Sequence, residues 1–151
     1  MKTLCHRYNC LFIVNDNTEL ALKAGADGVH VGKDDAHIKT IKKQMAGRII
    51  GVSCYGDIER AQQMEQQGAD YAAFGSFFIS PTKPHAPVVA KEILKEAKQR
   101  LTIPVCAIGG ITVDNAHELV AMGADMIAVT GGIFGQGTTA ENAAGFTSLF
   151  L

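Results

Sequence analysis

The chain has 151 residues, 47% of them hydrophobic and 19% charged, with a formal net charge of −1; this is the balance of one globular domain spanning residues 1–151, and it excludes a disordered chain. A charge near zero with no run of lysine or arginine offers no electrostatic footprint, so neither a nucleic acid nor a membrane surface is expected as a partner. No apolar run approaches the roughly 20 residues of a spanning helix, and residues 1–10 lack an apolar signal core, so the chain is expected to be cytoplasmic. Cys5, Cys10, Cys54 and Cys106 have no CxxC spacing and read as thiols rather than a bridge or a zinc site.

Short apolar, β-rich runs occur in chain order at residues 11–14, 28–31, 49–52, 71–74, 105–108 and 126–129. Each is nearly continuous instead of alternating, as in strands of a covered parallel sheet. Helical spacing lies between them at residues 19–24, 58–67, 89–101 and 115–122. The order is β-α repeated. Three segments share one grammar: ALKAGADGVHV (21–31), MEQQGADYAAF (64–74) and LVAMGADMIAV (119–129). A helix ends, a glycine takes the left-handed position, and Ala-Asp leads into a strand. Asp27, Asp70 and Asp125 then stand at strand starts, where β/α barrels keep residues for stability.

Six units of about 25 residues fill the chain, whereas a full eight-unit barrel needs about 200 residues or more. The fold class is α/β, with either an open sheet or a (β/α)8-type barrel of about six units. In such folds chemistry gathers after the strand C-termini. Asn15-Asp16-Asn17 follow the first run, Gly32-Lys33-Asp34-Asp35 the second and Ser53-Cys54 the third. Ser80-Pro81-Thr82-Lys83-Pro84 lie in a long loop after the fourth. Asp16 and Asp35 follow successive strands and suit Mg²⁺, which takes one or two carboxylates plus phosphate oxygens; helix capping is the plainer alternative for either. Lys83 reads as a surface lysine or, stiffened between Pro81 and Pro84, as a ligand contact. Gly109-Gly110 and Thr130-Gly131-Gly132 follow the last two runs and form either tight turns or a backbone cup for phosphate. If those runs are barrel strands seven and eight, the first two units are absent. His30 reads as a satisfied structural histidine. No GxSxG, Walker or GxGxxG pattern is present, which excludes serine-hydrolase, P-loop and dinucleotide chemistry.

NDNTELALKAGADGVHVGKDD, IIGVSCY, GADYAAFGSFFISPTKPHA, PVCAIGGITVDNAHELVAMGAD and AVTGGIF, taken in order, resemble the thiamine-phosphate synthase family from about Leu11 to Phe134. The resemblance implies a TIM barrel that joins a pyrimidine diphosphate to a thiazole phosphate, releases pyrophosphate and uses Mg²⁺. It implies metal binding by Asp16 and Asp35, and pyrimidine-diphosphate contacts by Asn15, Ser53 and Lys83, with Ser53 and Lys83 acting in catalysis. Ser80, Pro81, Thr82, Gly110, Thr130 and Gly131 would bind the thiazole phosphate. Two departures stand out. The family's first two β/α units, the second carrying a Gln-x-Arg-x-Lys strand end, have no counterpart before Met1, and residues 2–9 resemble the tail of the helix before strand three. At Thr130-Gly131-Gly132 many members carry an apolar residue, Ser and a small residue. The alternatives are a thiazole tautomerase of the same fold, or an incomplete barrel that binds thiazole phosphate only. Two unpaired sheet edges predict a homo-oligomer.

Overall fold

The computed structural model describes residues 1–32, 38–80, 83–135 and 137–150. Six parallel strands form one sheet: β1 (Ile13–Asn15), β2 (Gly28–Val31), β3 (Ile49–Tyr55), β4 (Tyr71–Phe74), β5 (Val105–Ile108) and β6 (Met126–Ala128). Their order across the sheet is their order in the chain. A doubly wound sheet would reverse its order at a switch point; an unbroken order keeps every crossover on one side, which is the winding of a β/α barrel. The α/β barrel-type expectation is borne out as six curled strands with their helices.

The helices are α1 (Lys2–Arg7), α2 (Thr18–Lys23), α3 (Ile38–Gln44), α4 (Ile58–Gln66), α5 (Ile93–Arg100), α6 (Val113–Ala121), α7 (Gly131–Phe134) and α8 (Thr139–Thr147). Local chemistry sets their starts: the Asn17 side chain accepts from the Leu20 amide at 2.8 Å and Asp57 from the Arg60 amide at 2.8 Å, each satisfying a donor left over in a first helical turn. Alternate strand residues Val29, Val31, Ile50, Val52, Ala72, Phe74, Val105 and Ala107 are buried against Ala21, Ile41, Ala61, Leu94, Ala97 and Leu119 of the helices. The opposite face carries Asn15, His30, Ser53, Tyr71 and Met126, none of them fully buried. The strand runs thus conceal a polar inner face within an apolar pattern.

The repeated Gly-Ala-Asp has a common geometry at the other end of the sheet. Asp125 donates its amide to the Val105 carbonyl (2.9 Å) and accepts the Val105 amide on its carboxylate (2.8 Å). Asp27 makes the same double link to Phe12, and Asp70 to Ile50. Each carboxylate also meets a basic side chain from the helix preceding the linked strand: His6 on α1, Lys42 on α3 and Lys98 on α5. These three aspartates tie strands together in pairs, in keeping with the stability role expected at strand starts. The glycines before them, Gly25, Gly68 and Gly123, have φ of +62°, +99° and +107°.

Some boundaries differ from the sequence reading. β3 runs to Tyr55, three residues past the apolar run, so Ser53 and Cys54 lie inside a strand instead of after it. The helix expected over residues 89–101 begins only at Ile93; the Val89 amide instead donates to the Ser76 carbonyl at 2.8 Å, holding the preceding segment against the loop after β4. The segment read as a helix tail at residues 2–9 is α1, closed before Asn9 at φ +55°. Helices α3, α7 and α8 escaped the periodicity reading because they are short or rich in Gly, Ala and Thr.

Candidate active site

The C-terminal ends of the strands bring several of the expected residues to one rim. Asn15 is the last residue of β1 and Asp16 follows it with φ +61°, a left-handed conformation that aspartate tolerates better than most residues. The Asp16 amide donates to the His30 carbonyl (2.7 Å), and Asn15 Nδ2 donates to Asp16 Oδ2 (2.6 Å). The capping alternative for Asp16 fails, since Asn17 caps α2. The Asp16 carboxylate is left exposed at the rim. Asp35, the second expected metal ligand, lies outside the described residues, as do Pro81 and Thr82.

Asn15, His30, Gly51 and Tyr71 are consecutive register partners across β1 to β4, so they form one layer of the inner face. A Cβ on Gly51 would stand 2.0 Å from Tyr71 Cζ. Glycine there lets the Tyr71 ring lie across β3 and reach the strand beyond. Tyr71 Oη meets His30 Nδ1 at 2.9 Å, the two rings stack with centroids 5.5 Å apart, and His30 Nε2 meets Ser53 Oγ at 2.9 Å. Burial pushes the Tyr71 phenol up to about 12, so it keeps its proton. The β3–β4 register shifts between Ser53 and Tyr55, a bulge of the kind that re-aims side chains beside active sites. Arg60, in the first turn of α4, fixes the backbone here: Nε donates to the Ser53 carbonyl (2.9 Å) and an Nη to the Gly32 carbonyl (3.1 Å). One guanidinium therefore joins the ends of β2 and β3, directly before the segment that carries Asp35.

The long loop after β4 folds back over β5. Its Phe77 and Phe78 amides donate to the Ile108 and Gly109 carbonyls at 3.1 Å, and the Lys83 amide donates to the Ser80 carbonyl at 3.1 Å. Lys91 braces the loop, with Nζ 4.7 Å from the Phe78 ring centroid and 2.6 Å from Glu118 of α6. Lys83 is exposed and Ser80 half-buried. Gly110 has φ +63°, and a Cβ there would strike the Ile79 carbonyl at 2.6 Å, so its identity has a packing reason; Gly131 faces open space on the side where a Cβ would stand. Asn115 holds the Gly110 turn, accepting from the Thr112 amide and donating to the Gly110 carbonyl. Thr130 is exposed at the start of α7.

A family model described as thiamine monophosphate synthase matches residues 1–133. The chain belongs to the thiamine monophosphate synthase family. It is 47% identical over 151 residues to the thiamine-phosphate synthase of Acidithiobacillus ferrooxidans, covering 99% of this chain and 70% of that protein. To the thiamine-phosphate synthase of Alcanivorax borkumensis it is 48% identical, covering 92% of this chain and 64% of that protein. The structure superposes on thiamine phosphate pyrophosphorylase from Pyrococcus furiosus with a TM-score of 0.90 at 36% identity, covering 99% of this chain and 71% of that one. For this member of the thiamine monophosphate synthase family, the sequence reading took His30 as structural and did not single out Tyr71 or Arg60, which the structure joins to His30 and to the ends of β2 and β3. Two signals pointed to these contacts: a glycine within a β-rich run, marking a close approach, and an imidazole one residue before a strand end.

Proposed function

We propose that the chain is a transferase of the thiamine-phosphate synthase type. It joins 4-amino-2-methyl-5-(diphosphooxymethyl)pyrimidine to 4-methyl-5-(2-phosphoethyl)thiazole, or its carboxylated form, giving thiamine phosphate and pyrophosphate. The observation that carries this reading is near-half identity to thiamine-phosphate synthases across almost the whole chain. The bond from the pyrimidine methylene to the diphosphate oxygen breaks, and its electron pair leaves with the oxygen. The electron-rich aminopyrimidine stabilises the cationic methylene, and the thiazole nitrogen supplies the pair for the new C–N bond. Such a substitution needs no protein nucleophile; it needs stabilisation of the leaving oxygens and two rings held face to face.

In this reading Asn15 and Ser53 donate hydrogen bonds to the diphosphate, and the Lys83 ammonium opposes its charge. Ser80, Pro81 and Thr82, with Gly110, Thr130 and Gly131, hold the thiazole phosphate. The open space beside Gly131 suits an anion close to backbone amides. The exposed Asp16 carboxylate at the rim is a hard oxygen donor of the type Mg²⁺ takes, and Asp16 and Asp35 would hold that ion. When bound, Mg²⁺ neutralises charge on the leaving diphosphate. The reading includes a cytoplasmic setting and association of copies through the outer strands β1 and β6, which light scattering at micromolar concentration checks.

The test is pyrophosphate release by the purified 151-residue chain with both substrates and Mg²⁺. Release that requires both substrates supports the reading. Thiazole-phosphate binding in a calorimeter, without pyrimidine-diphosphate binding or release, would overturn it in favour of a thiazole-phosphate binder.

A further inference from the structure

Tyr71, His30 and Ser53 form a chain of hydrogen bonds that ends at the diphosphate-binding rim. Both ring nitrogens of His30 are engaged, Nδ1 by Tyr71 Oη and Nε2 by Ser53 Oγ, each at 2.9 Å. The ring is additionally fixed by stacking on Tyr71, and that stack exists because Gly51 leaves room for it. A histidine that only filled space would not need a phenol carried across an intervening strand.

The direction of the chain has chemical consequences. A serine hydroxyl has one hydrogen. If Ser53 gives that hydrogen to His30 Nε2, it presents only lone pairs to an anion beside it. If His30 Nε2 carries the proton and donates to Ser53 Oγ, the serine hydrogen is free to turn outward. In a neutral imidazole, a donor to one nitrogen leaves the proton on the other. The Tyr71 phenol keeps its proton under burial and so has a hydrogen to give to Nδ1.

We propose that Tyr71 and His30 are positioning residues that orient the Ser53 hydroxyl as a hydrogen-bond donor to the leaving diphosphate. The bonds run Tyr71 Oη–H to His30 Nδ1, His30 Nε2–H to Ser53 Oγ, and Ser53 Oγ–H to a diphosphate oxygen. No proton is transferred and no covalent bond changes within the chain of three. Each donor strengthens the next, because polarising an acceptor makes its own hydrogen a better donor. This inference rests on the transferase reading and assigns the two residues behind its serine.

Two measurements test it. Long-range ¹⁵N–¹H NMR of the wild-type chain at neutral imidazole reads the His30 tautomer directly; Nε2–H is expected, and Nδ1–H would overturn the proposal. A double-mutant cycle reads the coupling. Tyr71→Phe should lower kcat for pyrophosphate release about five- to tenfold, the scale of one neutral hydrogen bond, with KM for the pyrimidine diphosphate within twofold of wild type. In a Ser53→Ala background the same substitution should change kcat by less than twofold. Equal losses in both backgrounds would show that Tyr71 acts without Ser53 and would overturn the relay. A wild-type chain without turnover would overturn the transferase reading instead, and the tautomer, read on the same sample, would still decide the relay.

Discussion

Replacing Asp125 by alanine should destabilise the fold by about 2–3 kcal/mol, through a backbone amide and not through a salt bridge. The Val105 amide donates to the Asp125 carboxylate at 2.8 Å, and Val105 is fully buried. Without the carboxylate that N–H loses its partner where water cannot replace it, which costs about 1–3 kcal/mol. The second contact, Lys98 Nζ at 2.7 Å, joins side chains that are 42% and 37% exposed, so it adds about 0–1 kcal/mol. The contrast separates the two terms. Lys98→Met should cost less than about 1 kcal/mol. Asp125→Asn, whose amide oxygen can still accept from Val105, should recover at least half of the alanine loss. Urea melts followed by circular dichroism provide the measurement; at an m-value of about 2 kcal/mol/M, the alanine variant should unfold about 1 M earlier. Asp70→Ala, with its link to the buried Ile50 amide, should behave alike. A Lys98→Met loss as large as that of Asp125→Ala, or an Asp125→Ala loss below about 0.5 kcal/mol, would refute the reasoning.

At the other end of the strands, Asp16→Ala should cut turnover about 10²-fold or more at saturating Mg²⁺; turnover within twofold of wild type would remove Asp16 from the site. Arg60→Lys should lower turnover about tenfold with little change in the urea midpoint, because one ammonium cannot bridge the Ser53 and Gly32 carbonyls that the guanidinium spans; unchanged turnover would show that the bridge is dispensable. Acid should erode stability through the strand-start aspartates. The Phe12 amide and then His6 hold Asp27 below its usual value of 3.8. For Asp125, burial acts upward but is outweighed by Lys98 and the Val105 amide, so its carboxyl is also lowered from 3.8. The unfolded chain therefore binds more protons between the folded and ordinary values, so this stability is present above 3.8 and is lost as pH falls through the lowered ones. Asp125→Asn should show a shallower loss in acid urea melts, and an unchanged slope would refute the linkage. Burial pushes the Cys54 and Cys106 thiols up to about 12, whereas Cys10 is exposed; iodoacetamide followed by mass spectrometry should mark Cys10 first, and equally fast labelling of Cys54 or Cys106 would contradict the packing.

The glycine-led repeats made much of the fold legible, because a left-handed helix end followed by a β-rich run is written in local residues. β2, β4 and β6 begin at the expected residues for that reason. The limits of β3 were not legible: its final residues, Ser53, Cys54 and Tyr55, are held in the strand by pairing with β4 and by Arg60, neither of which is local in sequence. The candidate site rests on short motifs at Asn15-Asp16, which the structure brings to the strand-end rim, and at Ser80 and Lys83 in the loop after β4. It was not legible at His30, whose role depends on partners 23 and 41 residues away. Asp16 shows the same limit from the other side. Sequence alone left metal ligand and helix cap both open, and the cap was excluded only when Asn17 was found holding the Leu20 amide.

The two ends of the sheet use similar polar groups under different constraints. At the strand starts, each aspartate accepts a backbone amide and meets a neighbouring basic side chain, so its oxygens are occupied within the protein. At the strand ends, the Asp16 carboxylate accepts a hydrogen bond from Asn15 and stands exposed with a left-handed backbone. That conformation costs free energy, of order 1 kcal/mol or more for a residue other than glycine, and the opposite end of the sheet has no comparable strain at its aspartates. The asymmetry distinguishes carboxylates committed to the fold from one left exposed at the rim, as the proposed metal role of Asp16 requires. The same distinction applies to hydroxyls: Ser76 gives its hydrogen to the Phe78 carbonyl within its own loop, while Ser53 is engaged by an imidazole that can leave its hydrogen free. In the proposed site, Asp16 and Ser53 are the groups whose hydrogen-bonding capacity the surrounding protein leaves available to a ligand.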